Sequence, residues 1–125
     1  MSSKRPAVHF GDIIANIDAI MRYTDGQDQQ AFEDSPITID ATLTCLLRIS
    51  EAAKRLGDDA HRLAPHLPWP AIRAIGNRLR HEYDSLAIDE IWNVVSTDLA
   101  PLRGASVDAI RQLTGDDTRD SQNDF

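Results

Sequence analysis

In the stretch AIRAIGNRLRHEYDSLAIDEIW, residues 71–92, the side chains Arg73, Asn77, Arg78, Arg80, His81 and Tyr83 fall within eleven consecutive positions. These residue types can do chemistry on a phosphate ester. An imidazole titrating near neutrality can take a proton from a ribose oxygen or give one to a leaving oxygen. A guanidinium offers phosphate oxygens a two-pronged donor. A carboxamide can orient the imidazole or donate to a developing oxyanion. The plainer reading is a solvated helix face, with Glu82 or Asp84 pairing with the arginines.

Spacing favours gathering these groups. A helix turns 100° per residue, so Arg73, Asn77 and His81, at i, i+4 and i+8, lie within about 80° of one another. Arg78, three before His81, lies within about 60° of it. Trp69, Ile72, Ile75 and Leu79 form the apolar stripe of the same helix. One face packs and the other presents a histidine, an amide and at least one arginine.

The elements that must hold this helix also read as helices. Phe10, Ile13, Ile14, Ile17, Ile20 and Met21 form one stripe, ended by YTDGQ with its Gly26. The polar DQQAFEDSP has room for a short helical turn. A second long helix is expected from about Asp40, with Ile39, Leu43, Leu46, Ile49, Ala53 and Leu56 inward and a stop at Gly57. Residues 58–68 have room for one short helix between prolines. Pro70 suits the first turn of the helix that carries the polar group. A further helix runs from about Ile88 with Ile91, Trp92, Val95 and Leu99 on one face. Pro101 must kink or restart it, because proline removes a hydrogen bond and its ring crowds the preceding turn. Leu102, Val107, Ile110 and Leu113 continue the pattern. No segment reads as a strand. Short connections between helices imply an all-α, up-and-down antiparallel bundle. Trp69 and Trp92 read as core anchors and Cys45 as a small buried hydrophobe. The expected organisation is a flexible lead-in at 1–9, a helical domain at 10–113 and a disordered acidic tail at 114–125.

The 125 residues fit one domain, and an apolar fraction of 42% suffices for one core. A net charge of −7 argues against indiscriminate nucleic-acid binding, which draws on Lys and Arg spread over a surface. It leaves room for a small basic site. The single cysteine excludes an intrachain disulfide and fits a reducing cytoplasm. The N-terminal apolar run is broken by Asp12, Asn16 and Asp18, unlike a signal peptide, and nothing approaches a membrane span. His9, His61 and His66 are scattered, with no zinc-type spacing, so neither metal nor cofactor is expected.

Three segments then stand together. ISEAAKRL at 49–56, LPWPAIRAIGNRLRHEYDSL at 67–86 and IWNVVSTDLAPL at 91–102 resemble the HepT-like proteins of the HEPN superfamily. The family pattern reads I-G-E-A-A-K, then P-W, then R-N-x-x-x-H-x-Y, then a Trp-bearing helix ending in a leucine–proline segment. The resemblance spans roughly residues 10–113. It implies a HEPN-type bundle that forms homodimers. It implies a metal-independent ribonuclease that is the toxin of a toxin–antitoxin pair. The partner would be an MNT-type nucleotidyltransferase that silences the toxin by transferring AMP to the motif tyrosine. Carried over, Asn77 is the motif asparagine, His81 the histidine that works on the phosphodiester and Tyr83 the modified tyrosine, with Arg80 near the RNA.

Two positions depart from that pattern. The motif arginine stands five before the histidine, where this chain has Gly76. Ser50 replaces the glycine of I-G-E-A. Glycine brings no charge and weakens a helix interior by roughly 0.5–1 kcal/mol. Three outcomes follow. Arg73 reaches into the site from one turn earlier, or Arg78 substitutes, or the protein is a catalytically weak binding module that docks a nucleotidyltransferase or a nucleotide.

Overall fold

The computed structural model describes the backbone of residues 5–81 and 88–123, and the side chains of residues 5–79 and 88–115. Within these residues every regular element is a helix, and there is no strand. The order is α1 (Pro6–Tyr23), α2 (Gln29–Glu33), α3 (Pro36–Leu56), α4 (Asp58–Leu63), α5 (Trp69–His81), α6 (Ile88–Asn93), a π-helical turn (Val94–Asp98) and α7 (Leu99–Asn123). The all-α bundle read from the sequence is what the chain forms.

Local chemistry sets the element boundaries. Pro6 opens α1 and Pro36 opens α3, each in the first turn, where a missing N–H is no loss. α1 therefore begins four residues, and α3 three residues, before its apolar stripe does. Asp28 caps α2 by accepting from the Ala31 amide at 2.9 Å. Gly57 ends α3 at φ +54°, a left-handed conformation that favours glycine.

Two helices reach beyond the bounds expected for the helical domain at 10–113. α1 starts at Pro6, within the segment expected as a lead-in. The segment from 114, expected to be disordered, continues α7 as helical backbone to Asn123. Once a helix exists, each further residue adds a hydrogen bond at little cost, so a polar extension needs no core of its own. Pro101 does disturb its helix as expected, in a specific way. The chain widens into a π turn at Val94–Asp98 just ahead of it, and α7 resumes from Leu99.

α1 packs against both α3 and α7, and α3 packs against α5. The core follows the apolar stripes: Phe10, Ile13, Ile17 and Ile20 from α1, Leu46, Ile49, Ala53 and Leu56 from α3, and Leu99 and Leu102 from α7 are all buried. Trp69 is fully buried at the start of α5, edge-on to Phe10 at 6.2 Å, and its indole donates to the Ala64 carbonyl at 2.8 Å. Trp92 is half-buried against Phe32, with ring centroids 5.2 Å apart. Cys45 is buried and free, and burial pushes its thiol pKa up.

Candidate functional site

The helix that carries the polar group, α5, leans chiefly on α3. Ile72 is buried and Ile75 and Leu79 half-buried, while Asn77 and Arg78 are exposed. α5 thus packs one face and exposes Asn77 and Arg78 on another. His81 is the last residue of α5. Its side chain, that of Arg80, and all of Tyr83 lie outside the described residues. The described residues give the packing of α5 itself.

The two helices run antiparallel. As α5 advances from Arg73 to Gly76, its neighbours on α3 step back from Ala53 to Ser50 and Leu47. Arg73 has a structural task in this frame. Its Nη2 donates to the Gly57 carbonyl at 3.0 Å and its Nε to the Ala53 carbonyl at 3.4 Å. Nη1 stands 3.5 Å from His61 Nε2. The last carbonyls of a helix lack partners of their own and carry partial negative charge, so a cation there caps α3. Arg73 shares a stripe with Asn77 on α5, but its guanidinium points to the end of α3.

Arg78 points to the other side. Its Nη2 meets Glu90 Oε2 at 2.7 Å, an ion pair between α5 and the first turn of α6. Both side chains are about half exposed, so the pair is screened and each charge stays accessible to solvent. Arg78 also borders an apolar groove of about 340 Å³ between α3, α5, the π turn and α7, lined by Leu46, Ile72, Ile75, Val94 and Leu102, with Asp98 as its carboxylate. Arg78, the residue after Asn77, is a half-exposed cation of α5. Glu90, which holds it, is a residue that the sequence reading passed over. The only sequence signal is an acidic side chain twelve positions on, at the start of the next helix.

Gly76 is buried against α3. A Cβ at this position would stand 2.5 Å from Ser50 Oγ and 2.9 Å from Ser50 Cβ. No side chain fits there while Ser50 is present. Ser50 itself is fully buried and satisfied at both ends. Its hydroxyl donates to the Arg73 carbonyl at 2.7 Å and accepts from the Gly76 amide at 3.0 Å. The two departures noted in the sequence therefore touch each other.

Among the described residues, no group of three or more His, Cys, Asp or Glu side chains could hold a metal ion. No helix among them is long and apolar enough to cross a membrane.

Residues 13–108 match the family model described as Ribonuclease HepT-like. A provisionally named RNase of Methanocaldococcus jannaschii is 24% identical over 102 residues, covering 82% of this chain and 88% of the relative. A second from the same organism is 23% identical over 106 residues, covering 85% and 88%. A protein named "Probable ribonuclease HepT" from Thermococcus cleftensis is 31% identical over 64 residues, covering 51% of this chain and 58% of that relative. No solved structure gives a significant match.

Proposed function

The chain belongs to the ribonuclease HepT-like family, and from that premise we propose that it is a metal-independent ribonuclease whose catalytic side chains project from α5. The observation that carries this reading is the exposed pair Asn77 and Arg78, set on a helix whose opposite face is anchored to α3 and whose last residue is His81. His81 takes the proton of a ribose 2′-hydroxyl. The 2′-oxygen attacks the adjacent phosphorus, the bond to the 5′-oxygen breaks, and the leaving oxygen takes up the proton that the His81 imidazolium releases. Arg78 and Asn77 donate to the phosphate oxygens as charge builds on them. Arg80 adds positive potential along the RNA. Arg73 is assigned to the α3 cap, not to the phosphate.

The protein works in the cytoplasm as a homodimer, in which two α5 helices face one another and double the local positive charge. Its setting is a toxin–antitoxin pair. An MNT-type nucleotidyltransferase partner silences it by adding AMP to Tyr83, which places a negative charge and a bulky nucleoside two residues from His81. Purified protein should cleave RNA in the presence of a chelator, and His81→Ala should lose cleavage while staying folded. Cleavage that persists in that variant refutes the mechanism. Co-expression with a cognate nucleotidyltransferase should add the mass of one AMP per chain, and Tyr83→Phe should remove it.

A second reading is favoured by one observation: position 76, where the family pattern has arginine, is filled space. On this reading the chain is a binding module that docks a nucleotidyltransferase or nucleotide and cleaves poorly. Restoring arginine as Gly76→Arg alone is a poor test, because the new side chain collides with Ser50. The informative variant carries Ser50→Gly as well. Cleavage that emerges only in that double variant favours the binding module.

A further inference from the structure

We propose that Ser50 is the positioning residue of the α5 site, with Gly76 as its obligatory counterpart. This rests on the reading of α5 as the catalytic helix. The chain loses the motif arginine at 76 because that space is given to a hydroxyl that fixes the helix.

α5 packs chiefly on α3, so the α3–α5 contact sets where Asn77, Arg78 and the last turn of α5 stand. Apolar packing fixes distance but tolerates sliding and rotation, because dispersion is non-directional. The Ser50 hydroxyl is directional. It gives its one proton to the Arg73 carbonyl and takes the Gly76 N–H on a lone pair. It therefore grips α5 at two backbone atoms three residues apart, one turn of the helix. That grip sets both the height and the rotation of α5.

The grip needs a bare backbone at 76. The hydroxyl oxygen sits 2.5 Å from where a Cβ would be, too close for one, so glycine is required there for close approach and not for an unusual backbone angle. Asn77 and Arg78 follow at once, and both are exposed. Small displacements of reacting groups cost rate steeply, of the order of a hundredfold for about 1 Å. A buried hydroxyl that fixes register one residue before the first of them thus acts on chemistry without touching RNA.

The test is a set of four variants, each read by thermal melting and by kcat and KM for RNA cleavage. Ser50→Ala keeps the space and removes both bonds. It should melt as a folded helical protein, with kcat down roughly tenfold or more and KM little changed. Gly76→Ala should lower both the melting temperature and kcat, because the methyl meets Ser50. Ser50→Gly with Gly76→Ala should recover the melting temperature, since the hydroxymethyl is gone and the methyl has room. It should not recover kcat, because the two bonds are gone too. Ser50→Gly alone should resemble Ser50→Ala in kcat. Wild-type kcat in Ser50→Ala overturns the positioning role. A double variant no more stable than Gly76→Ala overturns the steric pairing. Absence of cleavage by the wild-type protein is a separate result. It refutes the ribonuclease reading and the positioning role with it, while the melting arm still reads the Ser50–Gly76 fit.

Discussion

Arg73 and Arg78 stand on the same helix and serve different ends. One caps the carbonyls of α3 and the other, half exposed next to Asn77, pairs with Glu90. Their substitution should separate cleanly. Arg78→Ala should lower RNA cleavage by about a hundredfold or more, the usual cost of losing a charge stabiliser. It should leave stability almost unchanged, since an exposed ion pair contributes at most about 1 kcal/mol. Arg73→Ala should do the reverse, costing roughly 1–3 kcal/mol through lost charge-assisted hydrogen bonds, with a smaller effect on kcat. Urea denaturation beside initial cleavage rates checks both. The sequence shows that Asn77 and Arg78 share a polar face, because helical periodicity is local. It does not show where Arg73 points. That depends on the end of α3, sixteen to twenty residues away. Nor does it show that Ser50 and Gly76 belong together, since they are twenty-six positions apart and meet only when two helices pack.

At the scale of elements, α1 is the spine, packed on one side by α3 and on another by α7. Ile17, fully buried on α1, should be costly to truncate: Ile17→Ala should lose about 2–5 kcal/mol to lost burial and the cavity left behind. Ile37, 83% exposed at the start of α3, should tolerate the same change within about 0.5 kcal/mol. Chemical denaturation of the two variants side by side reads the difference. Helix identity was legible in the apolar stripes, and Ile13, Ile17, Ile20, Ile49 and Leu56 are buried as the periodicity requires. Helix ends were less legible. Prolines at the openings of α1 and α3 extend them past their stripes, and helical propagation carries α7 past its last apolar residue. The sequence foretold a break at Pro101 but not its form. Among the ways a chain can absorb a proline, the choice of a π turn depends on what α6 and α7 pack against.

For the whole molecule, charge is the organising quantity. The net −7 concentrates any RNA affinity in few cations, so cleavage should weaken with added salt while the fold persists. Elsewhere charges serve the bundle. Arg103 on α7 grips Asp18 on α1 with contacts at 2.7 and 3.2 Å, and its hydrogen bonding holds the Asp18 pKa below the ordinary aspartate value. A carboxylate that stays ionised to lower pH when folded than when unfolded stabilises the fold at neutral pH. That contribution is lost as pH falls from the unfolded aspartate range through the depressed value. Asp18→Asn should therefore be slightly less stable than wild type at pH 7, and the two should converge in acid, as melting curves across pH would record. The pair is largely exposed, so the gap should be small.

The central claim is that an α5 histidine drives attack by the RNA's own 2′-oxygen. The most direct measurement is the chemistry of the cut ends, read by mass spectrometry of a defined RNA oligonucleotide treated with the purified protein and a chelator. The account predicts 2′,3′-cyclic phosphate and 5′-hydroxyl ends, absent with His81→Ala. Ends carrying a 5′-phosphate and a free 3′-hydroxyl, or the same ends made equally well by His81→Ala, would contradict it.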